Sequence, residues 1–355
     1  MKKIILITFF FFIQISNVLS SETKLKEAIN GLNSPWSLTF INKNRVLVTE
    51  KSGNIILVDL NNKKIKKIQH DLQILEDGQG GLLEVLYYND QVFVSYSENL
   101  KKGNSSTSVA SAKFSENFLN FKNIFRAEPP IKSGYHFGSR LVIKDNLLYV
   151  TVGERGKGMI AQDPTKHPGS IIRIHLDGKI PEDNPKFKGN INWKPEIYQI
   201  GVRNPQGMAL SPYDNKIYLT NHGAKGGDWF GEVKYAENYG WKILGWGGTN
   251  YTGTRIGPKW KPGFTKAIKY WVPSIAASSM VIYKGTEFKE WNGDALITSL
   301  RDQSLRKIKF KDNEFLNEKI IFKGTIGRIR DIEIQKETGK IFLLTDTGSI
   351  WILQK

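Results

Sequence analysis

The sequence predicts an all-β fold, a six-bladed β-propeller, on two features of its patterning. One apolar pattern occurs six times: a short apolar strand, a turn containing Asn, Asp or Gly, and a second aliphatic strand that ends in polar residues. After the first twenty residues, no stretch has a sustained 3.6-residue apolar period, which argues against a helical solenoid. A single copy cannot bury both faces of its sheet, whereas a closed ring of blades can.

The six copies follow one another at spacings of 46 to 73 residues. They begin at Trp36, Leu82, Ser139, Gln206, Ser279 and Arg330. A blade needs about 40 to 50 residues, so the longer spacings predict inserted loops or strands. The residues from Lys24 to Leu32 precede the first copy and could supply the last strand of the final blade, which would close the ring. No Pro/Ser/Gly-rich linker divides the chain, so we expect one domain over residues 21–355 rather than a β-sandwich or two β domains.

The first twenty residues are typical of a secretory signal peptide. Met1-Lys2-Lys3 is basic, the run from Ile4 to Ile15 is uncharged and apolar, and small residues follow near Ser20. The run is too short to span a bilayer. We therefore expect cleavage near Ser20 and an exported, soluble protein without a membrane span, periplasmic if the source is a Gram-negative bacterium. The chain contains no cysteine, which excludes thiol catalysis and Cys-ligated metal centres.

The net charge is +17, from 51 Lys and Arg against 34 Asp and Glu. An anionic macromolecular partner is one interpretation, but the lysines are scattered and no nucleic-acid motif accompanies them, so no nucleic-acid partner is expected. Arginine is rarer than lysine and falls next to strand ends at Arg203, Arg301, Arg328 and Arg330. A guanidinium fork suits a carboxylate ligand, although such residues can equally bind backbone carbonyls or neighbouring blades.

One histidine stands out by its context. His136 lies in a loop that enters a strand, and Glu154 follows the returning strand of the same hairpin. Because a hairpin brings its entry and exit together, the carboxylate should reach the imidazole, fix its tautomer and stabilise its protonated form, which describes a general base. A solvated loop histidine is the alternative. The spacing of the five histidines gives little support to a His-built zinc site.

Eight motifs in order resemble the soluble quinoprotein glucose/sorbosone and aldose sugar dehydrogenases. They are GQGGLLE from Gly78, HFGSRL from His136, VGERG from Val152, DGKIPEDNP from Asp177, GVRNPQGMALSP from Gly201, NHGAKGGD from Asn221, NYGW from Asn238 and GRIRDI from Gly327. The resemblance spans roughly Leu32 to Leu353. It implies a six-bladed propeller that uses pyrroloquinoline quinone (PQQ) and Ca²⁺ to oxidise aldose sugars at C1 to lactones.

The resemblance also implies roles for individual residues. His136 would be the catalytic base and also lie against the cofactor, and Glu154 would be the carboxylate that orients it. Arg203 and Asn204 would be the pair near the reactive carbonyls of the quinone, and Arg203 would count as catalytic together with His136 and Glu154. Further cofactor contacts would come from Gln79, Ser274, Arg301, Arg328 and Arg330. The backbone carbonyls of Gly223 and Ala224 would hold calcium. A planar tricarboxylate suits several arginine forks, and calcium accepts oxygen ligands, which agrees with this set.

Three positions depart from the family pattern. Arg301 stands where relatives have Lys, Tyr135 where the glucose enzymes have Asp, and Asp228-Trp229 where they have Asp-Glu, which puts a second, structural calcium site in doubt. The segment from Trp229 to Trp271 holds five of the nine Trp residues and is either a substrate-facing lid or a packed insertion.

Two other functions stay open on the sequence alone: a calcium-dependent propeller lactonase or related hydrolase, and a non-catalytic propeller that binds glycans or proteins. The quinoprotein dehydrogenase, in contrast, would need an external electron acceptor, and we expect a monomer or homodimer.

Overall fold

The computed structural model describes residues 23–186 and 192–355, and these form six β-sheets arranged as the blades of a propeller. This confirms the predicted fold. The predicted signal peptide lies outside the described residues. In the order of the repeats, the first strand of each sheet contacts the first strands of both neighbouring sheets, so that these strands surround a common axis, here called the hub.

The strands of the first three blades have the following bounds. Blade 1 contains β2 (Pro35–Asn42), β3 (Arg45–Glu50), β4 (Asn54–Asp59), β5 (Ile65–His70) and β9 (Phe118–Leu119). Blade 2 contains β6 (Leu82–Tyr88), β7 (Gln91–Asn99), β8 (Ser105–Lys113) and β10 (Lys122–Arg126). Blade 3 contains β11 (Gly138–Lys144), β12 (Leu147–Val152), β13 (Ser170–His175) and β14 (Ile197–Ile200).

The other three blades complete the ring. Blade 4 contains β15 (Pro205–Leu210), β16 (Ile217–Asn221), β17 (Asp228–Glu232) and β18 (Lys269–Trp271). Blade 5 contains β19 (Ala277–Ile282), β20 (Ala295–Ser299), β21 (Ser304–Lys311) and β22 (Glu314–Lys323). Blade 6 contains β23 (Ile329–Ile334), β24 (Ile341–Thr345), β25 (Ile350–Gln354) and β1 (Lys24–Ile29).

The N-terminal strand closes the ring, as the sequence predicted. Strand β1 pairs antiparallel with β25, from Lys24 opposite Gln354 to Ile29 opposite Ile350. The final blade therefore combines strands from the two ends of the described chain. Each of the six described blades thus contacts a neighbouring blade on both sides.

Six large apolar clusters, one between each pair of neighbouring blades, form most of the core of the described chain. Leu47 and Val94, for example, are fully buried between blades 1 and 2. Leu344 and Val46 are fully buried between blades 6 and 1. Both faces of each sheet are thus apolar and covered by the neighbouring blades, which is why the repeats contain near-continuous aliphatic strands.

A buried polar network crosses the hub around Arg140, to which the sequence analysis assigned no role. Its Nη1 donates to Glu84 Oε2 at 2.6 Å and to Asp331 Oδ1 at 2.8 Å, and its Nε donates to the carbonyl of Gln206 at 2.6 Å. The guanidinium lies over the ring of Trp36, 4.3 Å from its centroid. These partners belong to four different blades, so a single cation ties blades 1, 2, 4 and 6 to blade 3.

The Trp-rich segment is mainly a packed insertion. Trp229, Trp246, Trp241 and Trp271 are only 1%, 3%, 6% and 6% exposed, while Trp260 is 40% exposed. The stack of Trp229 on Tyr239, with ring centroids 4.0 Å apart, joins this insertion to blade 4. Packing rather than sugar contact therefore accounts for most of these indoles.

The helical elements of residues 23–186 and 192–355 are three short 3₁₀ turns, at Lys101–Gly103, Gly158–Gln162 and Lys289–Trp291. In that part of the chain we find no helix with the length and apolar character needed to cross a membrane.

Candidate active site

The histidine and the carboxylate predicted to meet do so at one end of blade 3. Strand β11 begins and β12 ends at a pair formed by Gly138 and Val152, so the residues just outside the hairpin lie side by side. His136 Nδ1 is 2.6 Å from Glu154 Oε1. The two side chains are 12% and 2% exposed. A buried carboxylate thus orients an imidazole that keeps limited access to solvent.

The backbone around His136 is held in an uncommon conformation. His136 has φ of +51°, in the left-handed region that few non-glycine residues adopt. Its N–H donates to Gln79 Oε1 at 2.9 Å, and its carbonyl accepts from the N–H of Arg155 at 3.2 Å. The second oxygen of Glu154 accepts from the N–H of Gly158 at 2.7 Å. These contacts determine where the imidazole points.

Arg155, which the sequence analysis did not single out, fastens the loop that carries His136. Its Nε donates to the Tyr135 carbonyl at 3.0 Å and its Nη1 to the Ser105 carbonyl at 2.9 Å, while the guanidinium lies 3.7 Å from the ring centroid of Phe137. The residue is 2% exposed, and burial lowers its pKa to about 10. Only its position directly after Glu154 in the VGERG motif could have suggested this role.

Burial and charge set the protonation of the pair. Burial lowers the pKa of His136 below its usual 6.5 and the charge of Arg203 lowers it further, against the hydrogen bond to Glu154, which raises it. Burial alone would raise the pKa of Glu154, but the hydrogen bonds from His136 and from the N–H of Gly158 bring it below its usual value. Near neutral pH the imidazole is therefore neutral beside an anion. Since Nδ1 faces the carboxylate, Nε2 carries the lone pair.

Replacing Glu154 by Gln is expected to lower kcat by about 10- to 10²-fold, part of the 10²–10⁴-fold that a positioned base contributes. The amide keeps the shape but no longer stabilises the protonated imidazole, so the acid limb of the kcat/KM profile should move to lower pH. In the wild type that limb should already lie below the ordinary histidine value of 6.5. Initial rates measured from acid to neutral pH check this. An unshifted limb in the variant would show that Glu154 does not act on the base.

Arg203 lies against the same pair. Its carbonyl accepts the N–H of Glu154 at 2.8 Å, and its guanidinium lies 5.3 Å from the ring centroid of Trp241. Arg203 is 5% exposed and makes no salt bridge within the described residues. Burial lowers its pKa. The result is a buried cation that forms no ion pair with a carboxylate among the described residues and whose charge acts on His136.

Asn204 is fixed by the polar ends of neighbouring strands. Its Oδ1 accepts the N–H of Gly138 at 3.0 Å. Asn221 Oδ1 accepts the N–H groups of both Arg203 and Asn204 at 2.9 Å. The start of blade 4 is thereby tied to the start of blade 3, which places Arg203 and His136 on one side of the hub rather than on opposite rims.

A cavity of about 250 Å³ opens at this end of the hub. It is lined by four of the predicted cofactor contacts, Gln79, Asn204, Arg328 and Arg330, together with residues such as Trp36, Lys51 and His222. Arg328 Nε and Arg330 Nε each donate to Asp346 at 2.8 Å. These two arginines therefore line the cavity and also pair with a carboxylate of the protein. The alternative given in the sequence analysis, that such arginines bind groups of the protein itself, also applies to them.

Ser274 and Arg301 lie next to this cavity and not in its lining. They line a neighbouring cleft of about 670 Å³, whose wall reaches Ile275, one residue before Ala276 of the hub cavity. Arg301 Nη1 donates to the Ser274 carbonyl at 3.4 Å, and within the described part of the chain Arg301 forms no salt bridge. The two residues thus extend the cationic site outward.

The turn from Gly223 to Gly227 is organised by Asp228, a residue whose role the sequence analysis did not identify. The Asp228 carboxylate accepts from the N–H of Gly223 at 2.8 Å, from Ser274 Oγ at 2.8 Å and from the N–H of Ala276 at 2.7 Å. A Cβ on Gly223 would lie 2.2 Å from the Gly226 carbonyl, so only glycine fits there. One buried carboxylate therefore joins the proposed calcium turn to the Ser274 segment.

The donor set fits an anionic cofactor with a calcium ion. Two guanidinium groups, Arg203 and Arg301, make no salt bridge among the residues that the structure describes, and a multiply charged carboxylate ligand would supply the missing partner. The tight turn at Gly223 and Ala224 directly follows His222, whose carbonyl accepts from Arg203 Nη1 at 3.4 Å, and carbonyl oxygens are ligands that calcium takes.

The fold and this site define a six-bladed propeller with an imidazole–carboxylate pair and a cationic cavity at its hub. The chain belongs to the glucose/sorbosone dehydrogenase family, whose family model matches residues 32–353. This match assigns the chain to a family of dehydrogenases, which are oxidoreductases.

Individual relatives agree over almost the whole chain. The aldose sugar dehydrogenase YliI of Escherichia coli strain K12 is 32% identical over 332 residues, 90% of this chain and 88% of that protein. A crystal structure of the soluble aldose sugar dehydrogenase of E. coli in its apo form superimposes with a TM-score of 0.86 at 29% identity, covering 94% of this chain and 99% of that one. The PQQ-bound aldose sugar dehydrogenase of Streptomyces coelicolor has a TM-score of 0.77 at 22% identity, covering 94% and 98%, which shows a shared fold.

Proposed function

We propose that this protein is a quinoprotein dehydrogenase that oxidises aldose sugars at C1 to lactones. The observation that carries the proposal is the 2.6 Å contact of a buried Glu154 with His136, beside a guanidinium that has no salt bridge in the described part of the chain. The Escherichia coli relative that is 32% identical bears the name aldose sugar dehydrogenase, which supports the substrate class. Bound PQQ with its calcium ion supplies the two-electron acceptor for the hydride that leaves C1.

His136 is proposed to take the proton of the C1 hydroxyl on Nε2, the nitrogen that does not face Glu154. The C1–H bond breaks with its electron pair, the O–H bond gives up its proton, and the C1=O bond of the lactone forms. Glu154 stays ionised, since its pKa lies below the usual value, and stabilises the imidazolium that results. The proton can then leave through the 12% of the imidazole that is open to solvent.

Binding of the cofactor is proposed to rest on polar groups from blades 2, 4, 5 and 6 or the loops beside them. Arg203, Arg301, Arg328 and Arg330 would meet its carboxylates, and the carbonyls of Gly223 and Ala224 would bind calcium. Gln79, Asn204 and Ser274 would complete the polar contacts. Gln79 and Asn204 are supported by their place in the cavity lining, and Ser274 by its contact with the Asp228 carboxylate that holds the calcium turn.

The deciding experiment adds PQQ and Ca²⁺ to the purified apo-protein and follows reduction of an electron-accepting dye with a panel of aldoses. We expect dye reduction that depends on quinone, calcium and sugar, and a matching change in the quinone absorption spectrum. No reduction with any sugar would contradict the proposal. Lactone hydrolysis without quinone would favour the hydrolase, and the absence of any quinone binding in calorimetry would favour the non-catalytic binding propeller.

The cellular setting is part of the same proposal. The leader from Met1 to Ser20 supports export, and a periplasmic site of action follows if the host has an outer membrane. The enzyme would then pass its electrons to an external acceptor as a monomer or homodimer. Size-exclusion chromatography of the secreted protein, with N-terminal sequencing, tests both cleavage near Ser20 and the oligomeric state.

A further inference from the structure

A second cavity, of about 690 Å³, opens at the end of the hub opposite the cofactor cavity. The cofactor cavity is lined by residues at or just before the starts of three first strands, namely Gln206 for β15, Ala276 for β19 and Arg330 for β23. The second cavity is lined by the last residues of the same three strands, Leu210, Ile282 and Ile334. Because these strands lie side by side around the hub, the two cavities occupy its two ends.

The buried network around Arg140 lies between the two cavities. Along β23, Arg330 lines the cofactor cavity, Asp331 accepts from Arg140, and Glu333 lines the second cavity. Arg140 and Asp331 are only 2% and 3% exposed. The second cavity is therefore separate from the cofactor site, and the proposed dehydrogenase reaction gives it no role.

The size and the walls of the second cavity suit a small organic molecule. The wall is largely aliphatic and includes Ala209, Leu210, Val281, Ile282 and Ile334. Tyr213, which is 52% exposed, adds an aromatic ring. Small-molecule sites have volumes of about 300–1,000 Å³ and combine apolar walls with a few polar groups. The cavity thus favours a ligand with an apolar body over an inorganic ion or a free sugar.

The polar groups of the second cavity include two cations without a carboxylate partner. Lys284 and Lys336 line it, and neither makes a salt bridge within residues 23–186 and 192–355. Lys284 Nζ lies 6.0 Å from the ring centroid of Tyr213. Asn292 Oδ1 accepts the N–H of Gly285 at 2.8 Å, which leaves the amide N–H groups of Asn292 to donate elsewhere. Two such cations and an amide donor favour a ligand with an anionic group.

Glu333 is the one acidic residue among the described residues that line this cavity. Burial raises the pKa of Glu333 to about 8, and the negative charges of Asp331 and Glu84 add to the shift. A backbone hydrogen bond at Ile334 and the charge of Lys336 oppose the shift. At pH 7 most of the Glu333 carboxyl is therefore uncharged. It leaves the positive charge of the lysines in place and can donate a hydrogen bond to a ligand oxygen.

We propose that the second cavity binds a small organic anion, a carboxylate or sulfonate on an apolar body. The body would lie against the aliphatic wall, and the anionic group would meet Lys284, Lys336 and the amide of Asn292. This site goes beyond the proposed function and does not depend on it, because the cavity shares no lining residue with the cofactor cavity.

The first test compares two probes that share the same rings, 2-naphthoate and 2-naphthylmethylamine. Each is titrated by calorimetry at pH 7 into the wild-type protein loaded with PQQ and Ca²⁺, so that the cofactor cavity is occupied. We expect the Kd of the anion to be at least about tenfold lower than that of the cation. Equal affinities, or tighter binding of the amine, would overturn the proposal without any variant.

The second test locates the bound anion. Lys284→Glu combined with Lys336→Glu should raise the Kd of 2-naphthoate at least about tenfold. Lys311→Glu combined with Lys319→Glu is the matched control, since it makes the same change of charge at exposed positions of blade 5, and its Kd should equal that of wild type. The same Kd for both double variants and wild type would contradict the proposed site.

The two proposals fail separately. A protein that binds no PQQ would reject the proposed function, and the titrations repeated without PQQ would still test the second cavity, because the Lys284 and Lys336 variants change the charge of that cavity alone. A protein that oxidises sugars but binds 2-naphthoate no better than the amine would reject this inference alone.

Discussion

His136→Asn is expected to lose at least about 10²-fold in kcat for aldose oxidation, with PQQ affinity nearly unchanged. A positioned general base contributes about 10²- to 10⁴-fold, and asparagine has no basic nitrogen to replace it. Asparagine is the appropriate substitution because His136 has φ of +51°, a conformation that Asn adopts more readily than Ala. Steady-state dye reduction and a separate PQQ titration measure the two quantities.

The Asn variant separates chemistry from folding. Because Glu154 is 2% exposed and loses its main partner, some stability should be lost as well. Thermal unfolding of wild type and variant without cofactor measures that loss. A variant that binds PQQ, remains folded at the assay temperature and turns over at the wild-type rate would remove His136 from the mechanism.

The repeat pattern was sufficient to predict the ring, because each blade must bury both faces and each copy therefore repeats the same aliphatic run. The predicted starts at Trp36, Leu82 and Ser139 lie at or within one residue of the starts of β2, β6 and β11. The closing strand was also predictable. Residues such as Leu25 and Ile29 precede the first repeat and have no other sheet to join.

The contact of His136 with Glu154 was predictable for a local reason, since both flank one hairpin and are only 18 positions apart. The contacts of Arg140 were not predictable in this way. Its partner Asp331 is 191 positions distant, and the pair meets only because the ring closes. Asp228 illustrates the same limit, since its bonds to Ser274 and Ala276 depend on the path of a long insertion.

Sequence patterns also do not separate cations with partners from cations without them. Arg328 and Arg330 share Asp346, whereas Arg203 and Arg301 make no salt bridge in the described chain, although all four lie near an end of a strand. The difference arises because the turn between β24 and β25 of the same blade supplies Asp346 to Arg328 and Arg330, whereas no described residue pairs a carboxylate with Arg203 or Arg301. For this reason we infer a negatively charged ligand from the arginines that lack a carboxylate partner in the folded structure, and not from the number of arginines in the sequence.

Arg140→Leu is expected to reduce the free energy of unfolding by about 3–5 kcal/mol, the range found when one partner of a buried ion pair is removed. Arg140 is 2% exposed, and its loss leaves Asp331 and Glu84 facing each other across the hub. The surface pair of Arg45 with Glu116, whose side chains are 33% and 41% exposed, provides the control. Arg45→Leu should cost no more than about 1 kcal/mol. Denaturant unfolding followed by Trp fluorescence measures both.

The loss caused by Arg140→Leu should grow with pH. Burial raises the pKa of Glu84 from 4.5 to about 8 even though Arg140 opposes the shift. Because the pKa of Glu84 is higher in the folded than in the unfolded protein, its protonation contributes to the free energy of unfolding. This contribution is fully present below the unfolded pKa and is lost as pH rises through the folded pKa. Between about pH 5 and about pH 9 the wild type can ionise Glu84 beside Arg140, whereas the variant must either keep Glu84 protonated or bury its charge without that cation. Equal losses at the two pH values would show that Glu84 does not take part in the network, because only a titrating carboxylate next to the missing cation makes the cost depend on pH.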